Sequence, residues 1–239
     1  MKKYGLIGRK LGHSLSQELF EAQGFKDASY GLYEMESLDR LRQWVEQEHI
    51  NGFNVTIPYK QEILPLLDAV DDTAAGIGAV NCVSVEGGRL VGHNTDAPAF
   101  QHTLEEWLPV SELPHTALIL GTGGAARAVA YALKQLGVEY RFVSRYPELH
   151  KDAASYDGLP LDVLIINATP IGMYPDIDST PLPLTAPYSP RPSLMVYDLI
   201  YNPSQTLLMR EATACGAKVK NGLEMLRKQA EMSWDIWGL

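Results

Sequence analysis

The chain has 239 residues, 46% hydrophobic and 21% charged, which is ordinary for a soluble globular protein and long enough for one large or two modest domains with true cores. Its 29 Asp and Glu outnumber 20 Lys and Arg, for a net charge of −9, and there is no basic run, which argues against nucleic acid or an anionic membrane as partner. No apolar stretch reaches membrane-spanning length, and the N-terminal MKKYGLIGRKLGHS returns to charge too soon for a signal sequence, so a cytoplasmic location is expected.

In chain order, the pattern predicts a strand at Tyr4–Ile7, a helix from about Ser16 to Ala22, and an amphipathic helix over Ser37–Glu48 with Leu38, Leu41, Trp44 and Val45 inward. The stretch GFNVTIPYK alternates as a strand does. It places Phe53, Val55 and Ile57 on one face and Asn54, Thr56, Pro58 and Lys60 at the other parity, so this second face is either solvated or the wall of a site. Val83–Glu86 and Leu90–Gly92 flank Gly87-Gly88, a hairpin signal. Cys82 and Cys215 stand alone, with no CxxC pair and no His at zinc spacing; both read as small buried hydrophobes, and no metal is indicated.

From Thr116 the apolar runs TALIL, YRFV, DVLIIN and LMVYDLI alternate with helical stretches, as in a parallel sheet buried on both faces. The fold class that follows is α/β: a mixed α/β domain over residues 1–97 and a Rossmann-like doubly wound domain over 98–221. Six prolines between Pro175 and Pro192 mark a surface loop. The last helix, Gly222–Trp237, sets Leu223, Leu226, Ala230 and Trp234 at helical spacing, a core stripe expected to pack back on the first domain.

TALIL runs into GTGGAARAVAYALKQLG, a G-x-G-x-x-A turn (Gly121, Gly123, Ala126) between a strand and a helix, the setting of a dinucleotide fingerprint. The next strand ends in Ser144-Arg145, where an NAD site usually offers a carboxylate to the ribose 2′-OH. A hydroxyl and a cation there favour the 2′-phosphate of NADP. In the first domain, Ser14 and Ser16 crowd a helix start, and IGAVN and GHNTD place Asn81, Asn94, Thr95 and Asp96 in loops. Singly, the serines and Asp96 read as helix caps. Together with Asn54, Thr56 and Lys60 they form a hydrogen-bonding set suited to a polyhydroxylated small acid, with Lys60 and Asp96 able to handle a proton. Beside a nicotinamide, the simplest chemistry is alcohol–ketone oxidoreduction, and no Cys–His or Ser–His–Asp arrangement competes.

HSLS, GFNVTIPYK, IGAVN, GHNTD, GTGGAAR, NATPIGM, DLIYNP and NGLEMLRKQA follow one another from Gly8 to Ala230 in an order that resembles the shikimate dehydrogenases. The resemblance implies an NADP-dependent alcohol dehydrogenase reducing 3-dehydroshikimate to shikimate in aromatic amino acid biosynthesis, in a cleft between a substrate domain and a Rossmann-like domain. It implies Lys60 as acid/base with Asp96 as its partner, and Ser14 and Ser16 on the substrate carboxylate. Asn54, Thr56, Asn81, Tyr201 and Gln229 would complete the pocket. Gly121, Thr122, Gly123, Gly124, Ala125, Ser144, Arg145, Asn167, Ala168, Thr169, Leu199 and Gly222 would line NADP. A monomer or homodimer is expected. The chain departs from the family pattern at Gln17, where the family commonly has Pro, and at Ser144-Arg145-Tyr146, where it has Asn-Arg-Thr. A relative that also oxidises quinate or uses NAD, and a non-catalytic NADP-binding regulator on the same fold, are the alternatives.

Overall fold

The computed structural model describes residues 1–12, 14–147, 153–155, 163–184 and 193–239. His13 of the HSLS run, Asp162 of DVLIIN and residues 185–192 of the proline-rich stretch lie outside the described residues. The chain divides into two compact units, Met1–Ala99 with Arg227–Leu239, and Phe100–Leu226. Among the described residues no helix is long and apolar enough to cross a membrane.

The first unit contains β1 (Lys2–Gly8), α1 (Ser16–Gln23), β2 (Ala28–Glu34), α2 (Leu41–Glu48), β3 (Ile50–Val55), α3 (Tyr59–Glu62), β4 (Ala69–Val70), α4 (Asp72–Ile77), β5 (Cys82–Glu86) and β6 (Arg89–His93). Its sheet has the order β2-β1-β3-β5-β6-β4. β1 runs parallel to β2 and β3, whereas β5 is antiparallel to β3 and β6, so the sheet is mixed. The hairpin turns at Gly87-Gly88, both at positive φ.

Strand alternation sends Ile7, Phe53 and Val55 into one apolar cluster with Leu41 and Val45 of α2, and Tyr4 and Leu6 into another with Phe20 of α1. Ala230, Trp234 and Trp237 of the C-terminal helix α8 (Leu223–Trp237) belong to that second cluster, with the Trp237 ring stacked on Tyr4 at 4.7 Å.

Two sequence expectations need correction here. α2 begins at Leu41 instead of Ser37, because the Ser37 hydroxyl donates to Asp39 Oδ2 at 2.8 Å and accepts from the Asp39 amide at 3.4 Å, holding the preceding residues in a turn. β3 stops at Val55: Pro58 has no N–H to continue a ladder, and the Tyr59 amide donates to the Thr56 carbonyl at 2.9 Å. Ile57 is therefore 59% exposed instead of inward, and Lys60 lies on the short helix α3 instead of a strand end.

The second unit carries β7 (Thr116–Leu120), α6 (Gly124–Gln135), β8 (Glu139–Val143), β9 (Ala153–Ala154), β10 (Leu164–Asn167), β11 (Met195–Asp198), α7 (Leu207–Ala214) and β12 (Lys218–Asn221). All pairings are parallel, in the order β12-β11-β10-β7-β8-β9. Numbered within the unit this is 6-5-4-1-2-3, the Rossmann order. β8 breaks the expectation of burial on both faces: Glu139, Tyr140 and Arg141 are exposed beside the two-residue β9. β12, sequence KVKN, is an edge strand without the apolar run that announces its neighbours. Cys82 is buried as expected, but Cys215, at the end of α7, is only partly so.

Candidate active site

In the first unit the polar residues singled out by sequence converge at the end of β3 and the start of α5 (Asp96–Trp107). Lys60 Nζ donates to Asp96 Oδ2 at 2.5 Å, with the two side chains 15% and 7% exposed. Fully buried Tyr59 anchors α3, and the Val80 amide donates to the Lys60 carbonyl at 2.7 Å, so the lysine stem starts from a fixed backbone. Asn81 Nδ2 donates to Asp96 Oδ1 at 2.9 Å and to Thr95 Oγ1 at 2.8 Å, and lies 3.4 Å from Gln229 Oε1. Asn81 Oδ1 accepts from the Thr95 amide at 2.7 Å, which fixes the sense of the amide. Asp96 thus receives a cation on one oxygen and a neutral donor on the other.

Asp96 does not cap α5. Asn94 does: its Oδ1 accepts from the Ala97 amide at 3.1 Å while its Nδ2 donates to the Ala79 carbonyl at 2.9 Å. Nor do the serines cap α1, whose N-cap position is Leu15 with no side-chain bond. Ser14 Oγ instead donates to Ser16 Oγ at 3.1 Å and accepts from the Ser16 amide at 3.3 Å. Both serines are part-exposed, and Ser16 also bonds the Tyr30 hydroxyl, whose ionisation burial pushes far up.

Asn54 is committed. Its Oδ1 accepts from Tyr30 at 2.9 Å, and its Nδ2 donates to Ser233 Oγ at 2.9 Å and to the Asn81 carbonyl at 3.2 Å. The polar face of β3 is therefore covered by α8 at Asn54, and both amide hydrogens there are engaged within the protein. Thr56 and Gln229 remain part-exposed.

Tyr30 and Ser233 are members of this cluster that sequence reading missed. Tyr30 has no sequence signal, lying in a strand that the apolar pattern does not mark. Ser233 had one: it lies four residues after Gln229 on the same helix, hence on the same face.

A Ser–His–Asp contact also exists where the sequence suggested none. His93 Nδ1 lies 2.9 Å from Asp71 Oδ2 and Nε2 lies 3.1 Å from Ser84 Oγ. The Ser84 hydroxyl donates to Glu86 Oε1 at 2.8 Å and the residue is 5% exposed, while Asp71 caps α4 through the Ala74 amide. With its hydrogen on a carboxylate and its oxygen enclosed, Ser84 is not set up as a nucleophile; the chain of contacts ties the hairpin to α4.

In the second unit the candidate cofactor residues gather at the C-terminal ends of β7, β10 and β11, where a doubly wound sheet binds its ligand. Gly121 has φ 105°, and a Cβ there would lie 3.0 Å from Thr169 Cγ2, so the first turn requires glycine. A Cβ at Gly123 would meet nothing within 4 Å: the turn is open above the N-terminus of α6, whose first amides, at Gly124 and Ala125, have no intrahelical acceptor. Ala126 is fully buried, allowing close helix–sheet packing. These features fit a dinucleotide pyrophosphate. Thr122 is part-exposed in the same turn.

Asn167 Oδ1 accepts from the Thr169 amide at 3.0 Å and from Thr169 Oγ1 at 2.7 Å, which shapes the turn through Ala168. Asn167 Nδ2 donates to Asp198 Oδ1 at 3.0 Å; the Ile200 amide donates to the same oxygen at 3.0 Å, and Thr206 Oγ1 donates to Oδ2 at 2.7 Å. Asp198 is wholly buried, and desolvation outweighs these hydrogen bonds, pushing its carboxyl up to about 6. Gly222 approaches Leu199 so closely that a Cβ would overlap its carbonyl. Tyr201 is part-buried just beyond β11.

At the end of β8, Ser144 Oγ accepts from the Tyr146 amide at 3.1 Å and exposed Arg145 holds its guanidinium 5.9 Å from the Tyr146 ring centre, with no carboxylate partner among the described residues. A cation there suits an anionic ribose substituent.

A family model for the shikimate dehydrogenase substrate binding domain matches residues 6–83. The shikimate dehydrogenase (NADP(+)) of Caldicellulosiruptor saccharolyticus is 37% identical, over 99% of this chain and 92% of its own. A solved structure of the Thermus thermophilus shikimate 5-dehydrogenase, in complex with NADP(H) and shikimate, is 34% identical with a TM-score of 0.83, covering 100% of this chain and 94% of that one. A quinate dehydrogenase from Corynebacterium glutamicum, solved in complex with NAD, is 28% identical with a TM-score of 0.83, at 100% and 94% coverage.

Proposed function

The chain belongs to the shikimate dehydrogenase family, and we propose that it catalyses the reversible NADPH-dependent reduction of 3-dehydroshikimate to shikimate. The observation that carries this reading is the Lys60–Asp96 pair, 2.5 Å apart and held by Asn81 in a setting almost closed to water. NADPH, when bound, supplies the hydride. Lys60 gives the proton to the ketone oxygen during reduction and takes it back during oxidation; Asp96 orients the ammonium and balances its charge. The Ser14 and Ser16 hydroxyls, part-exposed and joined to one another, receive the substrate carboxylate by exchanging their mutual hydrogen bond for bonds to the anion. Thr56, Gln229 and Tyr201 meet the ring hydroxyls, while Asn81, whose amide hydrogens go to Thr95 and Asp96, acts through Asp96. Asn54 acts at one remove, since its amide hydrogens are already engaged. Gly121, Thr122, Gly123, Gly124 and Ala125 receive the pyrophosphate, Ser144 and Arg145 the 2′-phosphate. The Asn167-Ala168-Thr169 turn, Leu199 and Gly222 line the rest of the cofactor.

A quinate-oxidising, NAD-using relative is the second reading, and the similarity to the quinate dehydrogenase favours it. Arg145 without a neighbouring carboxylate in Ser144-Arg145-Tyr146 weighs against NAD. A non-catalytic regulator has no evident use for a hydrogen-bonded Lys60–Asp96 pair. Measuring NADP reduction with shikimate and with quinate separates the three: turnover with shikimate is expected, quinate as the better substrate would favour the second reading, and no turnover with either would overturn an enzymatic one.

A further inference from the structure

Ser233 lies on α8, is 0% exposed, and sits amid groups that lead to the proton-transfer pair. Its hydroxyl hydrogen goes to the Gln229 carbonyl at 2.9 Å. With that one hydrogen spent, Ser233 Oγ can meet its other oxygen and nitrogen neighbours only as an acceptor, from Asn54 Nδ2 at 2.9 Å and from Thr95 Oγ1 at 3.3 Å. The consequence for Thr95 is directional. Its hydrogen points at Ser233, so the oxygen presents a lone pair to Asn81 Nδ2 at 2.8 Å. Asn81, its sense set by the Thr95 amide, thereby finds an acceptor for each Nδ2 hydrogen, Thr95 and Asp96, and Asp96 in turn holds Lys60. From Asn81 the donor sense runs through Thr95 and Ser233 to the Gln229 carbonyl in one direction and to Asp96, which also accepts from Lys60, in the other.

We propose that Ser233 is a positioning residue for proton transfer: by accepting from Thr95 and Asn54 it holds the Thr95 hydroxyl with a lone pair toward Asn81 Nδ2, and together with the Thr95 amide it so steadies Asn81 and the placement of Asp96 against Lys60. The inference rests on the reading of Lys60 and Asp96 as the proton-handling pair, and Ser233 itself touches neither of them. A hydroxyl that only satisfied Asn54 would matter for stability alone. One that sets the sense of Thr95 matters for the rate, because a misplacement of about 1 Å at a reacting group can cost ~100-fold.

The test is steady-state kinetics of shikimate oxidation by NADP for the unmodified protein, S233A and S233C, with melting temperatures alongside. In S233A the Thr95 hydroxyl and one Asn54 amide hydrogen lose their acceptor, and the shift of these two neighbours of Asn81 toward new partners draws Asn81 from Asp96. The expected result is a kcat at least tenfold lower with KM for NADP within twofold. The thiol of S233C is a weaker acceptor of similar reach, so this variant should fall between the other two, and it supplies the reading should S233A not fold. A lower melting temperature with kcat unchanged in whichever variants fold would overturn the proposal, because that is the mark of a purely structural hydroxyl. A loss spread equally over kcat and KM for NADP would overturn it as well. Absence of turnover by the unmodified protein would overturn the proposed function and this inference with it, an outcome visible before any variant is compared.

Discussion

Asp198 gives the fold a pH dependence opposite to that of ordinary surface carboxylates. Its carboxyl is held at about 6 in the folded chain against an ordinary value of 3.8, with burial as the main cause. Between those two values the folded state keeps the proton and the unfolded state has lost it. Stability therefore falls as pH rises through the window: the contribution is fully present below about 4 and lost above about 6. A shift of roughly two units corresponds to about 3 kcal/mol. Asp198→Asn removes the titration while leaving an amide oxygen for Asn167 and Ile200; only the hydrogen from Thr206 loses its acceptor. Denaturant melts of both proteins at intervals from pH 4 to pH 8 isolate the effect, since other carboxylates titrate equally in each. The stability of the unmodified chain relative to D198N should decline by about 3 kcal/mol across that range, most of it between pH 4 and 6. A flat difference, or one that rises with pH, would show that Asp198 is hydrated or ion-paired and that the desolvation argument is wrong.

Three further outcomes are expected. Lys60→Ala should lower kcat by roughly 10²–10⁴ with a much smaller change in substrate KM; near-native kcat would remove Lys60 from the mechanism. Replacing Ser14 and Ser16 together with Ala should raise KM for shikimate strongly and leave the NADP dissociation constant nearly unchanged. A fall in melting temperature with normal KM would contradict the carboxylate role and leave the Ser14 hydroxyl only its bond to the first amide of α1. NADP should be preferred over NAD about ten- to hundred-fold in kcat/KM, the range one charged hydrogen bond supplies, and Arg145→Ala should erase most of that preference by weakening NADP alone. An R145A variant that keeps its preference would place the discrimination on another residue.

What was legible in the sequence divides along a physical line. β7, β10 and β11 announce themselves because strands buried on both faces carry apolar runs, ALIL, LII and MVY, broken only at the strand ends by Asn167 and Asp198. The glycine turn was legible because its conformation and close approaches admit little else: Gly121 at φ 105° against Thr169 is a local necessity. β2 and β12 gave no such signal, since an edge strand is half-solvated and its composition is free to be polar. GFNVTIPYK was legible only as far as Val55. Alternation describes a strand while it lasts and says nothing of where Pro58 ends it, so the pattern puts Lys60 on the wrong element.

The site shows the same limit more sharply. Residue types alone suggested that Asn54, Asn81, Thr95 and Asp96 act together, but not which of them face a ligand and which face one another. That distinction is set by hydrogen-bond saturation, and saturation depends on partners far apart in sequence: Asn54 meets Tyr30, 24 residues away, and Ser233, 179 residues away. An amide with both hydrogens engaged inside the protein cannot offer them to a substrate without leaving a buried acceptor unpaired, at a cost of about 1–3 kcal/mol. Asn54 therefore shapes the site from behind. Lys60, with one hydrogen bond to Asp96 and two further hydrogens on its ammonium, retains donors for a reacting oxygen. The difference between a wall residue and a working residue is thus one of uncommitted hydrogen-bonding capacity, and by that measure Lys60 has the donors that the proposed proton transfer needs, whereas the asparagine on the strand that leads to it has none to spare.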